Sequence, residues 1–265
     1  MTPPILRGTS TGKLHKLAFE LRYQFGHTYL DRCGRTINAI QRTAPEWLTT
    51  DAGLQGTALL SIRNASVFAF SSASLNLVLE QPIDAEIKAE SIEAFQEQVG
   101  LLSAIVIDEL GLDEFTRIGL RSVFAYPTND KADTERWMSS LKWFNLSDSL
   151  REAFGQTVES TGFSAVMTGE DRHYRVAVNG VEKPPQVEGG ASPVQVRTST
   201  LSEGQNKAYK AQLLQKHKRL TEASYAVSID IDAYQENPFA PDVADFVRTS
   251  REQTSSRLHT LAKNI

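Results

Sequence analysis

The first regular pattern along the chain is an alternation. Leu17, Phe19, Leu21, Tyr23 and Phe25 are apolar or aromatic, and Ala18, Glu20, Arg22 and Gln24 separate them. A period of two marks a strand with one buried face. The spacing then turns helical over residues 28–42, where Leu30, Cys33, Ile37 and Ile40 form an apolar stripe. Thr28 is placed to cap this helix and Pro45 to end it. Short strands are expected at residues 57–63, 66–71 and 75–80, with Asn64 and Ser72-Ala73-Ser74 as the turns. A helix over 91–110 turns Ile92, Phe95, Val99, Leu102, Ile105 and Val106 inward, with Ser91 as its cap and Gly111 as its stop.

The strand at residues 115–126 follows directly and carries Arg117-Ile118-Gly119-Leu120-Arg121. Residues 129–155 read as a helical connector anchored by Trp137, Leu141, Trp143 and Phe144. Gly169-Glu170-Asp171 predicts a hairpin between strands at 163–168 and 172–178, and Asn179-Gly180 a further turn. A Pro/Gly-rich loop at 184–193 leads to a strand near 194–200, a basic helix over 203–221 and a strand at 225–234. Asp242 then opens a last helix through Val243, Phe246, Val247, Leu258 and Leu261.

Residues 57–126 and 162–234 share an order: three strands, a helix, a strand. The expected fold is therefore α+β, with two similar halves, each a mainly antiparallel sheet covered by helices on one face. The divisions are an N-terminal half at 1–128, a helical connector at 129–160 and a C-terminal half with a terminal helix at 161–265.

Composition narrows the class. Hydrophobic residues make up 40% and charged residues 23% of the 265, which suits a packed core. A single cysteine, Cys33, excludes an intramolecular disulfide and a thiolate metal cage within one chain. Its place on an apolar stripe suits a structural thiol. The chain lacks an apolar run of membrane-spanning length and an N-terminal signal pattern, so the expected setting is cytoplasmic. Net charge is −4, yet residues 80–114 hold ten acids against Lys88, and residues 207–219 hold five Lys/Arg and no acid.

Candidate chemistry sits on two strands. On 115–126, Arg117, Gly119, Arg121 and Val123 share one face, so two guanidiniums flank a gap without a side chain and form a cradle for an anionic ligand. On 225–234, Ser228, Asp230, Asp232 and Tyr234 share a face, and Asp-x-Asp there offers oxygen ligands to a divalent metal, the one cofactor the sequence leaves room for. Should the two faces meet, they make a salt-bridge network and not a site. Lys207, Lys210, Lys216, Lys218 and Arg219, with Tyr209 for stacking, form a nucleic-acid-binding candidate. Walker A, G-x-G-x-x-G, G-x-S-x-G and metal-spaced histidine patterns are absent.

The segment Phe115-Thr-Arg-Ile-Gly-Leu-Arg-Ser-Val-Phe resembles the signature strand of a sporadically distributed bacterial family of uncharacterised proteins of about this length. Ser228-Ile-Asp-Ile-Asp-Ala-Tyr and Arg257-Leu-His are similar to its C-terminal part. Ser122-Val123-Phe124 departs from the Tyr-Ile-Asn usual there, so a site served by that Tyr and Asn is altered here. The resemblance implies no reaction; its patchy distribution associates the chain with toxin–antitoxin or phage-defence loci.

Three functional readings follow. The first is a non-enzymatic binding or regulatory protein that recognises a protein partner or an anionic ligand. The second is a metal-dependent enzyme on a phosphate-bearing substrate, with Asp230 and Asp232 as ligands and Arg117 and Arg121 as phosphate holders. The third is nucleic-acid binding through the basic helix. Homo-oligomerisation is compatible with all three.

Overall fold

The structure is a computed structural model that describes residues 12–83, 85–140, 162–169, 171–183 and 224–264. The basic helix, with Lys207, Lys210, Lys216, Lys218 and Arg219, lies outside the described residues, as do the strand near 194–200 and the loop at 184–193.

Among the described residues nine strands alternate with four helices. They run β1 (Lys13–Tyr23), α1 (Tyr29–Thr43), β2 (Trp47–Gly53), β3 (Gly56–Ser61), β4 (Ser66–Phe70), β5 (Ser74–Glu80), α2 (Ala89–Leu110), β6 (Phe115–Thr128), α3 (Lys131–Ser140), β7 (Gly162–Met167), β8 (His173–Lys183), β9 (Ser224–Glu236) and α4 (Val243–Asn264). All nine strands join one sheet in the order β2-β3-β4-β5-β1-β6-β9-β8-β7. Every neighbouring pair is antiparallel. The strands expected in two sheets therefore hydrogen-bond across a shared centre, where β6 lies between β1 and β9.

Alternation decides the faces. Leu17, Phe19, Leu21 and Tyr23 of β1 are buried with Ile118 and Leu120 of β6, under α1, α2 and the start of α4. Phe124, Tyr126, Val227, Ile229 and Ile231 form a second buried group with Trp137 and Met138 of α3 and Leu258 of α4. All four helices thus sit on one face. Helix α2 buries Phe95, Val99, Leu102, Val106 and Leu110, a stripe at helical period. Each such side chain contributes roughly 1.5–3 kcal/mol before its ordering entropy is set against it. Gly111 ends α2 at φ 65°, a left-handed conformation that glycine adopts without a Cβ penalty. None of the described helices is long and apolar enough to cross a membrane.

Several local expectations are corrected. Phe25 is not the last buried position of β1: the strand ends at Tyr23, and Phe25 stands in the following loop at φ 56°. Thr28 makes no side-chain capping bond, and Leu30 is exposed, because α1 turns Tyr29, Thr36 and Ile40 to the core. Trp47–Gly53 forms a strand that alternation does not announce, since Thr49, Thr50 and Asp51 interrupt it and a bulge falls between Thr49 and Asp51. Asn179-Gly180 is not a turn: β8 runs through it, pairing with Ser228 and Val227 of β9. Asp242 does cap α4, its carboxylate accepting the Asp245 N–H at 2.9 Å.

Candidate functional site: an ionic ribbon across the sheet

Opposite the helices, the centre of the sheet carries charge. The β6·β9 register sets Arg121 beside Asp232, Val123 beside Asp230 and Gly119 beside Tyr234. The β1·β6 register sets Glu20 beside Gly119 and Ala18 beside Arg121. So the Arg-x-Gly-x-Arg face and the Asp-x-Asp face meet on neighbouring strands of one sheet face, as side-chain alternation requires.

The pairs they form are diagonal. Arg117 donates to Glu20 on one side and to Asp232 on the other, both at 2.6 Å. Glu20 also takes Arg22 at 3.0 Å. Arg121 grips Asp230 with Nε at 2.8 Å and Nη2 at 2.5 Å. Further along the same face, Lys16 pairs with Glu80 at 3.0 Å. Arg117 also lies over the Tyr234 ring, 4.8 Å from its centroid, and His173 packs on that ring's other neighbour strand at 5.3 Å between centroids.

Gly119 explains how Arg117 reaches both partners. A Cβ at Gly119 would lie 2.7 Å from Arg117 Nη1 and 3.0 Å from its Cζ. The gap between the two arginines is therefore filled by the Arg117 guanidinium. Arg117 is 18% exposed and Asp232 21%, whereas Arg121 is 53% exposed. Burial pushes the Asp232 carboxyl above its ordinary range, although Arg117 opposes this. Arg121 is held above its ordinary value, chiefly by its bond to Asp230.

Chemically, both carboxylates of the Asp pair are already bonded to guanidinium. A cation at Asp230 and Asp232 would have to displace Arg117 and Arg121, and an anion at the arginines would have to displace the aspartates. Among the described residues no three His, Cys, Asp or Glu side chains gather as metal ligands do. Cys33 is half-buried against the main core. Sequence reasoning missed Glu20, the second partner of Arg117; its outward place in the β1 alternation was the available signal, but no strand order could be read to bring it to β6.

The fold and site define an α+β protein with a one-sided helical layer and a self-paired ionic ribbon on the other side of its sheet. No family model matches the chain, and no curated protein matches it.

Proposed function

We propose that this chain is a non-enzymatic binding protein that recognises a protein partner. The observation that carries the reading is the mutual pairing of the ribbon: Arg117 is bonded on both sides and Arg121 is bidentate, so the groups best suited to hold phosphate or metal hold each other. Within the ribbon the paired charges balance, Lys16, Arg22, Arg117 and Arg121 against Glu20, Glu80, Asp230 and Asp232. A cytoplasmic setting and a place in a bacterial defence or regulatory assembly belong to the same proposal. So does membership of the family marked by the Arg-Ile-Gly-Leu-Arg strand.

We further infer that the chain holds two similar units, meeting at β1 and β6. Each of these central strands is followed by a helix, each unit fills the sheet from its edge inward to β5 or β9, and each closes on a helix of 22 residues.

Purification of the tagged chain from its source cells, followed by reconstitution of any retained protein from pure components, tests the main reading. A stoichiometric complex is expected; a chain that is always recovered alone overturns it. Calorimetry with magnesium, manganese and inorganic phosphate tests the metal-dependent alternative. Heats lost in Asp230→Asn or Arg121→Ala would favour that alternative instead.

A further inference from the structure

Exposed apolar side chains gather at one end of the sheet. Strands β1, β2, β4, β7 and β9 run towards this end, and β3, β5, β6 and β8 run away from it. Phe25, Leu30, Leu54, Val166, Met167 and Phe239 are all exposed, and all lie in or beside the loops there. Leu54, and Val166 with Met167, lie towards the two opposite edges of the sheet, whereas Phe25 and Phe239 flank its centre at β6.

Two of these residues are held out rigidly. Phe25 is 66% exposed in a left-handed conformation, φ 56° and ψ 21°. The Gln24 N–H before it donates to the Glu114 carbonyl at 3.0 Å. Gly26 after it is pressed so closely on Ser72 that a Cβ would lie 2.3 Å from the Ser72 carbonyl oxygen. Phe239 is 98% exposed between a buried Pro238 and a φ of 41° at Ala240. The Asn237 N–H, itself at φ 47°, donates to the Thr116 carbonyl at 2.9 Å. Both loops are thus pinned at the start of β6, the one after β1 to Glu114 just before it and the one after β9 to Thr116 within it. Their strands stand two spacings apart, about 10 Å. Strained, anchored backbone that presents an aromatic ring to solvent is a pattern of recognition sites, since the ordering entropy is already spent.

The Phe25 and Phe239 loops, and the α2–β6 loop between them, carry exposed carboxylates. Asp113, Glu114, Glu236 and Asp242 are exposed at the same three loops and enter no ion pair among the described residues. No Lys or Arg occurs in 24–28, 111–115 or 236–242. Arg22 and Arg117 are both held by Glu20, and Arg172, at the same end, is folded over the Phe246 ring and bonded to Thr249 and Gln253.

We propose that the Phe25 and Phe239 loops, with the carboxylates between them, dock a protein segment whose apolar side chains are flanked by lysines or arginines. This rests on the binding-protein reading and names the partner's chemistry. Selection of a displayed random-peptide library against the full chain is the test, with affinities read by fluorescence anisotropy. Enriched peptides should combine apolar anchors with Lys or Arg. Their binding should weaken by more than about tenfold in Phe25→Ala and in Phe239→Ala, and in Glu114→Lys with the fold intact by circular dichroism. A selection without a basic, apolar consensus overturns the proposal, as do variants that bind unchanged. Binding of the chain to phosphatidylserine vesicles, or self-association, that is lost in the same variants also overturns it in favour of a lipid or a second copy. A native partner that binds the Phe25→Ala/Phe239→Ala double variant as tightly as the parent chain leaves the binding-protein reading standing and removes only this one.

Discussion

The Arg117 guanidinium occupies the space above Gly119 that any other residue would fill, with Nη1 2.7 Å from a Cβ built there. The absence of a side chain at one position thus orients the charge two residues earlier. Gly119→Ala should push Arg117 away from Glu20 and Asp232 and destabilise the fold by about 1–3 kcal/mol. Guanidinium unfolding would measure it. The cost should shrink in an Arg117→Ala background, because the clash is then gone; full additivity would refute the coupling.

The two arginines should differ in weight. Arg117→Ala leaves half-buried Asp232 without its guanidinium and Glu20 with Arg22 alone, which should cost about 2–3 kcal/mol. Arg121 is half-exposed, so Arg121→Ala should cost about 1 kcal/mol or less despite its bidentate bond. Equal losses in denaturant unfolding would contradict the difference in burial.

Asp232 supplies a pH test. Its carboxyl is raised in the folded state, first by burial. A raised folded value contributes stability that is full below the ordinary carboxylate range and is lost as pH rises through the folded value. Asp232→Asn has no carboxyl to ionise, so the variant should gain on the parent chain between acid and neutral pH. A difference that stays flat, or runs the other way, would show that the Arg117 pairing outweighs burial.

Tyrosines govern the alkaline limb. Burial raises Tyr23, Tyr29 and Tyr126 above the ordinary phenol value. Their contribution is complete below about pH 10 and declines as pH rises through the folded values. Ultraviolet titration of the native protein should therefore find Tyr23, Tyr29 and Tyr126 un-ionised past the ordinary phenol range, until unfolding exposes them. Tyr126→Phe should flatten the alkaline loss of stability.

Phe25 is kept at a cost. A left-handed φ strains a non-glycine residue by about 1 kcal/mol, while asparagine tolerates it. Phe25→Asn should accordingly raise the unfolding free energy by about 0.5–1 kcal/mol, since the ring buries little. A loss of stability would mean that the ring packs more than its exposure implies.

Much of the local structure was legible. The alternation of β1, the period of α2, Gly111 as its stop and Asp242 as the cap of α4 all depend on near neighbours, and all are present. The charged and apolar faces of β6 and β9 also follow from counting by twos, but the burial of Ala125 and Ala226 with Ile83 on the charged side does not. The reading failed where a local pattern continued past a tertiary boundary. Phe25 keeps the β1 alternation in sequence, yet Gly26 must meet Ser72, and the chain leaves the sheet first. Asn179-Gly180 looks like a turn, yet pairing with β9 carries β8 through it.

What the sequence alone determined is the chemistry of each strand face: Arg117, Gly119 and Arg121 together on one, Asp230 and Asp232 together on another. Period-two geometry is local, so it needs no partner. Only the tertiary structure decided that these strands adjoin, in one nine-stranded sheet with Glu20 on the far side of Arg117. Pairing across 115 positions of chain, as between Arg117 and Asp232, depends on strand order, and strand order is chosen by the whole core. That choice turned two candidate sites into one closed ribbon, and set Phe25 and Phe239 on either side of β6.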